Sequence, residues 1–237
     1  NIIGWEDKVE WPNLDEVDWE AVKERNKDYL RTDKLIRTSI FTGFYERLIS
    51  FVGFENAAVA LVDEDQAEHV HRLFDRLADF YIDFIQRMHR HCNVELFELH
   101  DDWGTQKSLM FSSETHRDMI VPYVRKVVDA AHKEGCFIEM HSCGAVEPLF
   151  PNFLEAGFDT WRGQATAIDK RALVEKYGDR FKFGVEIRPA PDASVKEIKE
   201  LCRKFKEDYA GKKVWLSISA LMPEYQTEVI MKEIYGN

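Results

Sequence analysis

The residues best suited to chemistry sit in one stretch, Phe137-Ile138-Glu139-Met140-His141-Ser142-Cys143-Gly144. A short apolar run ends there in an imidazole and a thiol, two good soft-metal ligands, followed by a glycine. Side chains two apart on a strand share a face, so Glu139, His141 and Cys143 point one way and Ile138, Met140 and Ser142 the other. We read the first three as the floor and rim of a site. A second stretch, His100-Asp101-Asp102-Trp103-Gly104, follows another apolar run, Val94–Leu99. Asp101 and Asp102 face opposite ways on extended backbone, so at most one meets a cavity, as general acid/base or as an anchor for a substrate amine or hydroxyl. The competing reading for each is a turn or cap carboxylate. His100 shares a face with Glu98 and Asp102 and is a candidate proton-transfer group or second ligand, while Trp103 could form a stacking wall. Tyr45, Arg162 and Gln164 are further candidates for substrate contact. Arg162 could meet a substrate carboxylate or pair with Asp159 or Glu186.

The elements needed to position these groups alternate. Strands are expected at Leu35–Phe41, Val94–Leu99, Phe137–His141, Phe158–Trp161, Phe181–Ile187 and Val214–Ser219. Between them come helices at Phe44–Val52, Asp63–His91, Ser113–His132, Val146–Glu155, Lys170–Tyr177 and Ser194–Tyr209, with Glu224–Tyr235 last and Trp19–Leu30 ahead of the first strand. In the longest helix, Val70, Phe74, Leu77, Tyr81, Phe84, Ile85 and Met88 recur at spacings of three and four, one buried stripe. Pro122 should kink or split the helix that contains it. Alternation of this kind means an α/β chain with parallel strands and crossover helices. Neither the dinucleotide glycine fingerprint nor the phosphate loop is present, and polar residues gather at the ends of several strands. Both features favour a (β/α)8 TIM-type barrel over an open nucleotide sheet. Residues 1–237 are expected to form a single domain, with no repeat, low-complexity tract or linker.

Several blocks together resemble the uroporphyrinogen decarboxylase superfamily. They are Thr42-Gly43-Phe44-Tyr45-Glu46-Arg47-Leu48 with Gly53-Phe54-Glu55-Asn56, then Asp101-Asp102-Trp103-Gly104-Thr105-Gln106, then His141-Ser142-Cys143-Gly144 with Glu155-Ala156-Gly157-Phe158-Asp159. The resemblance runs from about residue 35 to the C-terminus and implies a (β/α)8 barrel whose N-terminal strands are absent from this chain. It implies one of two chemistries: cofactor-free decarboxylation of a tetrapyrrole's carboxylated arms, or zinc-dependent methyl transfer between a corrinoid protein and a small acceptor such as a thiol. In the methyltransferase branch a His-x-Cys pair and a later Cys hold zinc, and His141 and Cys143 match the pair. The later Cys is expected around residues 219–222 and is not there, and Cys202, in a helix, is a poor substitute. Either a carboxylate completes the metal shell or the chain is a divergent relative. Glu98, Asp101, Asp102, Glu139 and Glu186 are candidates because each lies on or just past a strand, with Glu186 attractive because Val185-Glu186-Ile187 closes a strand at the same end of the barrel. A metal-free carboxy-lyase is the alternative, and a non-catalytic corrinoid or small-ligand binder is a third reading.

The totals narrow the field further. A net charge of −11 with scattered Lys and Arg argues against grip on a nucleic-acid backbone. No apolar run approaches the roughly 18 residues of a membrane span. Four widely spaced cysteines in a chain too large to need disulfide staples suit a reducing, cytoplasmic setting.

Overall fold

Local signals set most element boundaries in the computed structural model, which describes residues 1–163, 167–219 and 221–236. The chain divides into two compact units, Asn1–Asp159 and Thr160–Asn237.

In the first unit, Asp18 opens α1 (Trp19–Arg25) by accepting the Ala21 N–H at 2.9 Å. The expected single helix breaks at Asn26, whose side-chain amide turns back to the Val22 carbonyl, and a short α2 (Lys27–Leu30) follows. Strand β1 (Arg37–Ile40) leads through Thr42-Gly43 into α3 (Phe44–Val52), and Gly53, at φ +80°, separates it from α4 (Phe54–Ala60). The long α5 (Glu64–Cys92) is capped by Asp63 and buries Val70, Phe74, Leu77, Tyr81 and Ile85, the apolar stripe read from spacing. After β2 (Leu96–His100) come α6 (Ser113–Met119) and α7 (Val121–Lys133), split at the position Pro122 dictates because the proline fits only a first turn. The cap of α6 is Ser112, whose hydroxyl accepts the Thr115 N–H at 2.9 Å. Strand β3 (Phe137–His141) precedes a tight turn at Glu147–Leu149 and then α8 (Phe150–Ala156), which starts later than Val146 because Pro148 and Pro151 fit only opening turns.

Strands β1, β2 and β3 are parallel neighbours. Thr38, Phe97 and Ile138 fall in one row and Ile40, Leu99 and Met140 in another, and most of this face is buried. The opposite face carries Ser39, Glu98 and Glu139 in one row, with His100 opposite His141 beyond them. Alternation along the strands thus gives one apolar face and one face lined with titratable groups.

The second unit holds β4 (Thr160–Trp161), α9 (Lys170–Tyr177), β5 (Lys182–Glu186), α10 (Val195–Asp208), β6 (Val214–Ser217) and α11 (Glu224–Tyr235), with β4, β5 and β6 parallel in that order. Strand β4 is shorter than expected because Asp159 serves the first unit, accepting the Ile138 N–H at 2.8 Å and meeting His132 at 2.9 Å. Cys202 is buried with Ile187, Ile198 and Ile230 in this unit's apolar core, where it is a small hydrophobe. The six strands of the sequence reading are all present, three in each unit. No helix among the described residues is long and apolar enough to cross a membrane.

Candidate metal centre

His100 and His141 end adjacent parallel strands in register, so their rings stack, with centroids 4.5 Å apart and planes at 17°. Phe41, the residue after β1, covers the other face of His100 at 4.6 Å and 7°. Beyond His100 the two aspartates diverge, as extended backbone requires. Asp101 turns into the protein and is fully buried. Its carboxylate accepts the backbone N–H groups of Phe44 and Tyr45 on one oxygen and of Glu46 on the other, each at 2.8 Å. These are the orphan donors at the start of α3, where a negative charge is also favoured by the helix dipole. A β-carbon at position 43 would sit 2.7 Å from that of Asp101, so only glycine permits the approach, and the Gly43 N–H donates to the His100 carbonyl at 2.6 Å. Burial nonetheless pushes the Asp101 carboxyl up to about 7.

Asp102 turns the other way. Its Oδ1 accepts the Cys143 N–H at 2.7 Å, tying the loop after β2 to the loop after β3. Ligand atoms of His100, Asp102 and His141 all lie within 4.8 Å of one another, and the Cys143 Sγ is 3.6 Å from His141 Nε2. The loops carrying these groups press backbone to backbone. Gly144, at φ +83°, would place a β-carbon 2.3 Å from the Gly104 carbonyl, and the Ala145 N–H donates to the Thr105 carbonyl at 2.8 Å. Burial, and after it the Asp102 charge, pushes the Cys143 thiol up to about 11, so the sulfur is a neutral thiol unless a cation stabilises the thiolate. On the far side of His100, Nδ1 meets the Glu46 carboxylate at 3.1 Å, and this hydrogen bond raises the imidazole's pKa.

The structure thus brings together His100, Asp102 and His141 of the residues singled out by sequence, with the Cys143 sulfur beside His141. Glu139 lies one row behind His141, fully buried, and bonds to Arg37 Nη2 at 3.0 Å. The same guanidinium pairs with Glu98, which also accepts from Ser39 at 3.1 Å. Glu186, in the second unit, is clamped by the buried Lys170 at 2.7 Å, whose ammonium also donates to the Gly184 carbonyl and lies over the Trp161 ring. Trp103 is a core side chain, edge-on to His116 at 4.2 Å, with its backbone N–H on the Ser142 hydroxyl. Tyr45 is likewise buried, against Phe54 and Phe111. Arg162 is half-buried just past β4, and Gln164 lies outside the described residues. Sequence reasoning passed over Phe41 and Glu46. The signal available for Glu46 was an acid in the first turn of a helix that follows a strand's C-terminal end.

Residues 49–181, more than half of the chain, match the family model for uroporphyrinogen decarboxylase (URO-D). The chain belongs to that family. Among solved structures, a methyltransferase from Methanosarcina mazei aligns with TM-score 0.68 at 15% identity, covering 91% of this chain and 62% of its own. A sugar phosphate isomerase/epimerase from Parabacteroides distasonis ATCC 8503 aligns with TM-score 0.47 at 14% identity, covering 97% of this chain and 78% of its own. At such identities the first likeness is one of fold. This URO-D family chain therefore spans about three fifths of the length of the methyltransferase it resembles. No curated protein sequence matches it.

Proposed function

We propose that this protein is a zinc-dependent methyltransferase with a (β/α)8-type barrel, moving a methyl group between a corrinoid protein and a small acceptor in a reducing, cytoplasmic setting. One observation carries the reading. Two imidazoles and a carboxylate, from the C-terminal ends of two neighbouring strands, lie within ligand-sharing distance, and the Cys143 thiol sits 3.6 Å from one of the imidazoles. The donor set fits zinc, which takes histidine nitrogen, cysteine sulfur and aspartate oxygen and needs about three protein ligands for a catalytic site. His100, Asp102, His141 and Cys143 are the residues that would hold it, and Asp102 supplies the carboxylate that the absent later cysteine calls for. When bound, zinc keeps an acceptor thiol deprotonated near neutral pH while leaving it nucleophilic.

The chain's own residues set the rest. Asp102 fixes the Cys143 backbone and so aims the sulfur at the cluster. Phe41, 69% exposed, gives the cluster an apolar wall on the β1 side. Asp101 holds α3 against the end of β2, so its role is to position the site and not to exchange a proton with substrate. Zinc measured in purified wild type and Cys143→Ser tests the reading. About one equivalent should fall sharply in the variant, and undiminished zinc in Cys143→Ser removes the thiol from the site.

A further inference from the structure

Glu46 faces His100 from outside the ligand cluster, and the geometry points to it as the positioning residue that turns His100 into a metal ligand. This inference rests on the metal reading given above. Three neighbours fix the His100 ring. Phe41 stacks on one face at 4.6 Å and His141 on the other at 4.5 Å, so both faces of the ring are covered. Glu46 Oε2 takes Nδ1 at 3.1 Å, which assigns the proton to Nδ1 and leaves the Nε2 lone pair for a cation. Histidines that bind metals commonly donate their second N–H to a carboxylate in this way, which fixes tautomer and orientation together.

The carboxylate is itself held. Glu46 lies in the first turn of α3, and its backbone N–H donates to Asp101 Oδ1 at 2.8 Å. Asp101 directly follows His100 in the chain, so His100, Asp101 and Glu46 form a closed loop of bonded contacts. Tyr81 reinforces the turn from the side, with its hydroxyl on the carbonyls of Thr42 and Gly43 at 3.0 and 3.1 Å. Glu46 also sits in a half-buried setting, with 23% of its side chain exposed, where a carboxylate without a partner would be disfavoured. The end of β2 and the start of α3 thus present a single preset donor.

The test is zinc and cobalt(II) binding to purified wild type, Glu46→Gln and Glu46→Ala, by chelator competition and by the visible cobalt spectrum. Glu46→Ala should bind zinc 10–100-fold more weakly, with altered cobalt bands, because His100 is free to turn. Glu46→Gln should lie between, since its amide oxygen still accepts from Nδ1–H but carries no charge. It also retains the side chain's volume, so it remains informative where Glu46→Ala fails to fold. Equal affinity and an unchanged cobalt spectrum in both variants overturn the role of Glu46 alone. No zinc bound by the wild type overturns the metal reading and this inference together.

Discussion

His116 makes the packing beneath the Asp101–Gly104 segment sensitive to acid, and the size of the effect follows from its surroundings. The ring is 1% exposed, edge-on to Trp103 and near Phe153. Its Nδ1 meets the Asn152 amide nitrogen at 3.0 Å, and that same nitrogen donates to the Ser113 carbonyl at 2.8 Å. The amide is therefore a donor and Nδ1 an acceptor, so the native imidazole is neutral. Burial pushes its pKa down to about 3 from an ordinary 6.5. The folded value lies below the unfolded one, so the stabilisation is present above pH 6.5 and is lost as pH falls towards 3. Between pH 7 and pH 5 the unfolded chain takes up nearly one proton that the folded chain refuses, a loss of about 2 kcal/mol. That is a large part of the ~5–15 kcal/mol typical of a folded domain. Urea unfolding of wild type and His116→Gln at pH 7, 6 and 5, followed by tryptophan fluorescence, measures it. The glutamine oxygen can still accept from Asn152 but cannot titrate, so the variant should show a shallower pH dependence by about 2 kcal/mol over that span. Identical pH slopes in the two proteins would refute the reasoning.

Other substitutions probe the elements that carry the site. Asp101→Ala leaves three N–H groups at the start of α3, two of them buried, without their acceptor and should cost roughly 3 kcal/mol or more in urea unfolding, while also weakening zinc binding through Glu46. Gly144→Ala forces a β-carbon into the Gly104 backbone at positive φ, so a destabilisation of roughly 2–4 kcal/mol is expected, together with lower bound zinc by elemental analysis. Lys170→Met leaves a nearly buried carboxylate with the more distant Arg188 guanidinium at 3.7 Å and should destabilise by about 3 kcal/mol, whereas the double variant with Glu186→Leu should recover much of that loss in thermal unfolding. His141→Ala should abolish tight zinc binding with a smaller effect on the unfolding midpoint, since its ring is only partly buried.

What the sequence made legible follows from range. Helix α5 was plain because its stripe repeats over about five turns, and Lys170–Tyr177 and Glu224–Tyr235 were plain because a cap or proline precedes each and a glycine follows. The pairing of His141 with Cys143 was legible too, since residues two apart on extended backbone share a face. What pairing across strands decides was not legible. His100 meets His141 only because β2 and β3 share a particular register, and no local pattern fixes that offset. The carboxylates show the same limit. Glu98, Glu139 and Glu186 all had claims by their strand positions, Glu186 the strongest, yet Arg37 and Lys170, distant in sequence, hold them in ion pairs.

The missing later cysteine also takes on a physical sense once the two strand ends are seen together. A thiolate ligand brings charge and softness, and a site deprived of one must recover the charge elsewhere if it is to hold a divalent cation. Asp102 is placed to supply that charge, because its neighbour Asp101 has been drawn into the N-terminus of α3 and the backbone between them is extended. One aspartate thus anchors the helix that carries Glu46 while the next turns towards His141 and Cys143. A donor set richer in oxygen and nitrogen than in sulfur would also change which metals compete. Imidazole and carboxylate accept manganese, iron(II) and cobalt more readily than thiolates do. Wild-type protein loaded in turn with zinc, cobalt(II), iron(II) and manganese(II) should therefore separate these ions by less than a site with two cysteines would. Replacing Asp102 with Cys should widen the separation in favour of zinc, as read by chelator competition. If Asp102→Cys leaves the order and spread of affinities unchanged, the carboxylate is not a ligand, and its contact with the Cys143 N–H is its whole role.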